Sequence, residues 1–456
     1  MNSSENQPAV FPKTFWTANT IELFERGAYY AMASFVVIYL KEVLGMSPTF
    51  ATFINGSLLW GLIYFLPVVS GTLADKYGFK RSLVVAFAML SLGYLIMGNV
   101  QNFWPAGGNY TIPVLLGVVL IGLGGSIVKP CIAGTVQKTS GLRATLGFGI
   151  FYMIINIGSI SGRGVAFFVR TRSGLGIPAI FFPVAFTFAI VGLLIVFFTY
   201  REPEYVPDGK KDGQVAAKKT LGQALLGIIT VLKNWKFVFF LVVIGMFWIL
   251  YVQLYNLMPL FLRWVDPEAP MELYTLVNPI MIVTLQLVIT RLAKRWTPVR
   301  SIIFGVLVTT IGMLVNVLAP VLFADISLKV SLLRFGSFQV LLPIAGIFLV
   351  ISIASMALGE MFASPRIYEY IGAIAPKGQE GLYLGYANLP VALGSIVGAP
   401  LGGRLFETFI SNPVAKGQPA NPTAIWLIVA GMGLLSMVGL ALYDKFLLHK
   451  RPGDTA

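Results

Sequence analysis

The sequence predicts an all-α membrane protein with twelve transmembrane helices in two six-helix bundles. Three observations predict it. Of 456 residues, 57% are hydrophobic and 11% charged, with a mean hydropathy of +0.80, where soluble domains carry about 25% charged residues. Apolar runs of about 20 residues or more, enough to cross a hydrocarbon layer of about 30 Å, recur along the whole length. The most charged and least apolar stretch, 201–236, divides those runs six and six.

The twelve runs fall at 15–40, 50–74, 82–100, 111–137, 145–169 and 178–200, then at 237–262, 273–293, 300–323, 338–363, 381–408 and 423–447. Helices follow because a lipid-immersed backbone must satisfy its own hydrogen bonds, and these runs are not the short alternating segments of a barrel. The predicted organisation is an N-terminal bundle 1–200, a cytoplasmic linker 201–236 and a C-terminal bundle 237–456. The linker holds Asp208-Gly209-Lys210-Lys211 and Lys218-Lys219. Its far end, Leu221 to Leu232, reads equally as an amphipathic surface helix or as plain linker.

A net charge of +14 raises nucleic acid as a partner, but the positions of the basic residues argue against it. With the N-terminus in the cytoplasm, most of the Lys and Arg fall in cytoplasmic segments, as the positive-inside rule requires. Both termini are then cytoplasmic, and the surplus orients the chain in a cell (inner or plasma) membrane, with the lipid bilayer as partner. Met1 to Thr14 is short and polar, so the first span itself is expected to direct insertion. The single Cys131 excludes an intramolecular disulfide. The single His449, beside Lys450 and Arg451, reads as structural, which leaves proton chemistry to carboxylates.

Two equal halves suggest a parallel repeat. The fifth run reads Gly158-Ser159-Ile160-Ser161-Gly162-Arg163, and the eleventh reads Gly394-Ser395-Ile396-Val397-Gly398 with Gly403-Arg404 after it. Small residues at helix contacts recur without duplication too, so the echo supports the repeat without establishing it. After the second run comes Gly71-Thr72-Leu73-Ala74-Asp75-Lys76-Tyr77-Gly78-Phe79-Lys80-Arg81. An acid at one helix end there can pair with basic residues or with the positive N-terminus of a neighbouring helix. This segment, through Gly71, Asp75, Gly78, Lys80 and Arg81, resembles the signature gating loop of the major facilitator superfamily. The resemblance implies the major facilitator fold, with substrate held between the halves near mid-membrane.

Ionisable residues inside the membrane are functional hypotheses by default. Glu22, Glu25 and Arg26 in the first run, Lys129 in the fourth, Glu360 in the tenth and, less clearly, Arg163 stand out. Glu22 and Arg26 are one helical turn apart, and Tyr29, Tyr30 and Ala33 continue along that side. Two acids and one base lack one positive charge, which a proton or Lys129 supplies. Burial favours the neutral acid and a nearby cation the ionised one, a balance suited to a proton switch. A static ion-pair knot is the competing reading, disfavoured by the cost of burying an incompletely neutralised cluster. The glycines at 122–125 lack the strand and acid of a dinucleotide site and read as close helix packing. No Cys/His spacing suggests a metal, and no nucleophile, base and orienting acid can be placed together, so neither a metal site nor an enzyme is expected.

Glu22-Leu23-Phe24-Glu25-Arg26 with Tyr29-Tyr30 resembles the first-span motif of the proton-dependent oligopeptide transporter family, without its usual Phe at Gly27 and Gly at Ala31. Gly122-Leu123-Gly124-Gly125-Ser126-Ile127-Val128-Lys129-Pro130-Cys131 is similar to the family's fourth-span signature. Phe151-Tyr152-Met153-Ile154-Ile155-Asn156-Ile157-Gly158-Ser159 is similar to its fifth. Asn278-Pro279 and Gly359-Glu360-Met361-Phe362-Ala363-Ser364-Pro365 fit spans eight and ten. The resemblance implies that a peptide's amino end is held by Glu360, Asn156 and Asn278 and its carboxylate by Lys129. Tyr29, Tyr30, Tyr64 and Gln253 are candidates for further hydrogen bonds and ring contacts, or for packing. Proton coupling falls to Glu22, Glu25, Arg26, Lys129 and Glu360.

Two departures bear on cargo. Most family members carry an arginine at Ala33 and an acid near Val252 that pairs with it. Losing one alone would strand a buried charge, so the joint loss is electrostatically coherent and suggests a rearranged gate. It also reduces the cationic surface for a peptide carboxylate. The linker is too short for the two extra helices that many bacterial members insert. The resemblance therefore implies proton symport of di- and tripeptides by a monomer, with protons as coupling ion and no other cofactor. The alternatives are a proton-coupled carrier of a non-peptide solute, such as an amino acid conjugate or a drug-like zwitterion, and, more remotely, a membrane sensor without turnover.

Overall fold

The computed structural model describes residues 11–105, 107–172, 174–204, 222, 227, 231–335, 338–375, 383 and 386–445. The charged linker pairs 208–211 and 218–219, most of the candidate surface helix 221–232 and the tail from Phe446 through His449 lie outside them. Helix α1 is Lys13–Ala33, followed by a turn at Val36–Ile38 and a wider, π-type turn at Tyr39–Val43. Then come α2 (Pro48–Phe65), α3 (Pro67–Tyr77), α4 (Phe79–Gly98), α5 (Thr111–Arg143), α6 (Leu146–Arg172) and α7 (Ile180–Phe198). The remainder is α8 (Trp235–Val265), α9 (Met271–Arg295), α10 (Pro298–Leu322), a hairpin of β1 (Lys329–Phe335) and β2 (Phe338–Pro343), α11 (Ile344–Ile374), α12 (Leu389–Ala415) and α13 (Pro422–Tyr443).

Among the described residues ten helices are long and apolar enough to cross a membrane, and α2 with α3, bent by 43° between them, makes an eleventh if taken as one span. At 21 residues α1 is long enough to cross. It falls short in apolar content because Lys13, Glu22, Glu25 and Arg26 all lie on it. Two boundaries differ from the sequence reading. Residues 338–343, read as the start of the tenth span, are instead strand β2, paired antiparallel with β1 from Phe335↔Phe338 to Lys329↔Pro343. Pro343 is extended (ψ 152°), and a proline disfavours helix in the residue before it, so α11 begins after it. Of the eleventh span, expected from 381, helix α12 runs from Leu389, after a turn at 386–388.

Contacts sort the chain into two units, Met1–Met32 with Leu66–Leu225, and Ala33–Phe65 with Leu226–Ala456. Residues 33–65, assigned to the bundle 1–200 in the sequence reading, pack on α12 within the second of these units. The reason lies in small residues. A methyl added at Gly403 would lie 2.6 Å from the Pro48 carbonyl, and one at Gly56 would overlap Ala399, so α2 and α12 meet nearly backbone to backbone. Polar contacts reinforce the joint. Glu407 accepts from the Thr49 amide (3.0 Å) and hydroxyl (2.7 Å), and Asn55 Nδ2 donates to Tyr255 O (3.1 Å).

Within each unit the glycine echo makes the same joint. A side chain at Gly158 would meet Leu23 O and Arg26 Cβ, three positions apart on α1. One at Gly394 would meet Gly245 O and Trp248 Cβ, three positions apart on α8. Four residues further on, Gly162 and Gly398 meet the next residues, Gly27 and Ile249. The fifth span thus crosses the first as the eleventh crosses the seventh, the relation a parallel repeat requires.

Two prolines inside helices, Pro130 and Pro400, are matched by serines. Pro130 has no N–H for the carbonyl of Ser126, four residues back, and Ser70 Oγ donates to it at 2.7 Å. Pro400 likewise frees the Ile396 carbonyl, which takes the Ser57 hydroxyl at 2.7 Å. In a membrane, where water cannot satisfy a freed carbonyl, such side chains make a broken helix tolerable.

Candidate functional site

In the first unit the site begins at the α1/α6 crossing. Gly158 and Gly162 let α6 approach α1 closely, with Arg163 of α6 over the Tyr30 ring of α1. The resemblance has a Phe where this chain has Gly27. Here a methyl at Gly27 would fall on the Phe188 ring, so Phe188 of α7 fills that space from another helix.

Arg26 Nε donates to Glu25 Oε2 and lies 3.2 Å from Glu22 Oε1. Both acids are buried. The second oxygen of Glu22, Oε2, is buried without a hydrogen-bond partner among the described residues. Lys129 of α5 is within electrostatic reach of Glu22, Glu25 and Arg26. The four charges then sum to zero only while both acids are ionised, and a proton on either acid leaves one cation in excess. The Arg26 guanidinium also sits 5.5 Å above the Tyr29 ring, and Tyr29 meets Tyr30 edge-on at 5.1 Å. Arg163 is wholly buried, bonded to Ser159 Oγ and stacked 4.6 Å over the Tyr30 ring. Asn156 Nδ2 donates to Tyr152 O at 2.9 Å, leaving its carbonyl oxygen as acceptor.

Tyr94 of α4 belongs with this group although the sequence did not mark it. It is fully buried, its hydroxyl has no hydrogen-bond partner among the described residues, and it lies within electrostatic reach of Glu25 and Arg26. A lone tyrosine in an apolar run carries no periodic signal that separates it from packing.

In the second unit Asn278 Nδ2 donates to Glu360 Oε2 at 3.2 Å, and the Tyr251 hydroxyl donates to the same carboxylate. A cluster of Ile282, Ile289, Ala293, Met361 and Phe362 clamps α9 to α11 beside the pair. On its other side Gly359 packs on α10, where a methyl at Gly305 would lie 2.5 Å from the Gly359 carbonyl. Tyr251 is the second residue that the sequence reading missed, and it lies next to the apolar Val252 that attracted attention.

Gln253, a candidate for substrate contact or for packing, is wholly buried, and its Nε2 donates to Ile249 O (2.7 Å) and Gly398 O (2.8 Å), bonds that join α8 to α12. Tyr64 is half-buried and packs 5.5 Å from Trp60, which in turn meets Tyr255 at 5.4 Å. Ala33 and Val252 are both buried. Next to Ala33, Ser34 Oγ and Thr275 Oγ1 share a hydrogen bond of 2.7 Å, and no cation is stranded where the resemblance has its arginine.

The loop between α3 and α4 also differs from expectation. Gly78 has φ +91°, a conformation that glycine adopts without strain. The acid at the α4 N-terminus is Glu202, which accepts from the amides of Lys80 (2.8 Å) and Phe79 (3.2 Å). Asp75, the expected partner, is exposed and makes no hydrogen bond or ion pair among the described residues.

Comparison with known proteins agrees with this architecture. Dipeptide and tripeptide permease A of Yersinia pestis is 29% identical over 235 residues, covering 49% of this chain and 44% of the permease. The chain thus matches less than half the length of that relative. A crystal structure of the peptide transporter POT in complex with sulfate aligns over 95% of both chains with a TM-score of 0.70 and 20% identity. A POT family transporter in complex with 5-aminolevulinic acid aligns over 95% of this chain and 96% of that one, at TM-score 0.69 and 17% identity. At such identities the likeness establishes the fold and leaves cargo open. The family model of the Major Facilitator Superfamily matches residues 21–330, more than half of the sequence, and this multi-pass membrane chain belongs to that superfamily.

Proposed function

We propose that the chain is a proton-coupled symporter that imports di- and tripeptides by alternating access, with a single chain as the transporting unit and both termini in the cytoplasm. The observation that carries this reading is the charge balance of Glu22, Glu25, Arg26 and Lys129. A proton taken by a glutamate neutralises one acid and releases a cation, and a substrate carboxylate then replaces the lost negative charge at Lys129. Proton and substrate are coupled because each compensates the same basic group. Each inward charge gains about 2.3 kcal/mol per 100 mV of membrane potential. Glu360, held by Asn278 and Tyr251, offers a carboxylate to the substrate ammonium. Tyr29 and Tyr30 are held by Arg26 and Arg163 and offer ring surface. Glu360 is a second candidate for carrying the proton.

A second reading keeps the coupling and changes the cargo to a non-peptide zwitterion. The buried apolar pair Ala33 and Val252 supports it, because the basic group usual at that position is absent. A labelled dipeptide in proteoliposomes, challenged with a panel of peptides and zwitterionic conjugates, separates the two. Competition by most dipeptides supports peptide transport. Indifference to every di- and tripeptide, with competition from a conjugate, would replace it with the second reading.

A further inference from the structure

We propose that the groove between α3, α4 and α5 binds one anionic phospholipid, with an acyl chain along its floor and the phosphate on Arg81. The groove is a cavity of about 460 Å³. Its walls include Val69 and Leu73 of α3, Val85 and Met89 of α4, and Leu123 and Ile127 of α5. Tyr77 and Val85 are 57% and 49% exposed, so the groove is open at the surface of its unit.

The serine hydroxyls within the groove are already engaged. Ser70 donates to Ser126 O, Ser126 donates to Leu123 O at 2.8 Å, and Ser82 donates to Gly78 O at 2.9 Å. Arg81 is the one charged group among the lining residues. It is exposed and makes no hydrogen bond or ion pair among the described residues. Of the acids around this loop, Glu202 is occupied by the amides of Phe79 and Lys80, and Asp75 is exposed. An apolar slot that ends at a guanidinium with no ion-pair partner among the described residues matches an amphiphile with an anionic head. A free phosphate has no use for the slot, and a zwitterionic lipid has less use for the arginine. A cavity of about 540 Å³ beside α10 provides the contrast, because its Arg300 shares the lining with Asp444.

The test is native mass spectrometry of the full chain in detergent, titrated with phosphatidylglycerol, phosphatidylcholine or glycerol phosphate. The wild type should retain one phosphatidylglycerol about fivefold more tightly than phosphatidylcholine, the gain of one basic residue at a membrane surface. Arg81→Gln should abolish that preference while phosphatidylcholine still binds. Val85→Trp, at an exposed position that leaves the core intact, should weaken both lipids, and Arg300→Gln should behave as wild type. Preference retained in Arg81→Gln, both lipids unaffected by Val85→Trp, or displacement by glycerol phosphate at equal concentration would each overturn the proposal.

Discussion

The guanidinium of Arg263 grips both carboxylate oxygens of Glu42, with Nη2 2.6 Å from Oε2 and Nε 3.1 Å from Oε1. Ala33 and Val252 carry no charge, and this ion pair ties residues 33–65 to α8 in the same unit. Two-point geometry gives it direction as well as attraction.

Glu42→Gln should therefore loosen that segment. The pair is partly wet, with side chains 17% and 26% exposed, so its contribution is up to about 1 kcal/mol. Thr52 is wholly buried beneath α12. In a Cys131→Ser background, a Thr52→Cys thiol should react up to about fivefold faster with an impermeant reagent once Glu42→Gln is added. An unchanged rate would show that the ion pair does not hold the segment.

The α1/α6 crossing predicts opposite outcomes at two glycines on one helix. Gly158→Val drives a branched side chain into Leu23 O and Arg26, whereas Gly164 has open space around it. Gly158→Val should destabilise by about 1–3 kcal/mol, and Gly164→Val should leave the melting temperature in detergent near wild type. Equal effects would mean that the close approach is not a constraint.

Gln253→Ala should act on stability and not on substrate. Loss of its two hydrogen bonds to backbone carbonyls, at about 0.5–1.5 kcal/mol each, should cost about 1–3 kcal/mol. A lowered Tm with a KM for uptake within about twofold of wild type fits the buried position. A large rise in KM with unchanged Tm would return Gln253 to the binding site.

Glu360→Gln keeps the shape of the clamp and removes its charge. Hydrogen bonds to charged groups contribute about 1.5–3 kcal/mol, so dipeptide affinity should fall about 10- to 100-fold. Tyr251→Phe, which removes one donor to that carboxylate, should produce a smaller loss. Isothermal titration of the purified variants reads both directly.

How much of this the sequence revealed follows from the physics of each signal. Charged residues in apolar runs are conspicuous because their burial is costly, so the Glu22–Glu25–Arg26 cluster, Lys129 and Glu360 could be singled out before any coordinates. Proline and glycine announce local geometry, which made the turn at Gly78 and the α6 crossing visible. Tyr94 and Tyr251 were hidden because an aromatic residue in an apolar helix looks the same whether its hydroxyl meets a carboxylate or nothing. Gln253 is the converse case, since polarity inside a membrane marks helix joints as readily as ligand contacts. Hydropathy could not separate β2 from the α11 that follows it. Nor could it show that residues 33–65 pack with a distant part of the chain, because that depends on the fit of Gly56 and Gly403 to their partners.

The central claim is that a proton and a substrate carboxylate compensate the same basic group, and the most direct measurement is dipeptide uptake into proteoliposomes under an imposed pH gradient. The account predicts that Glu22→Gln, Glu25→Gln and Lys129→Gln each abolish gradient-driven accumulation, with substrate exchange persisting in at least the glutamate variants. Accumulation at the wild-type level in all three would contradict it.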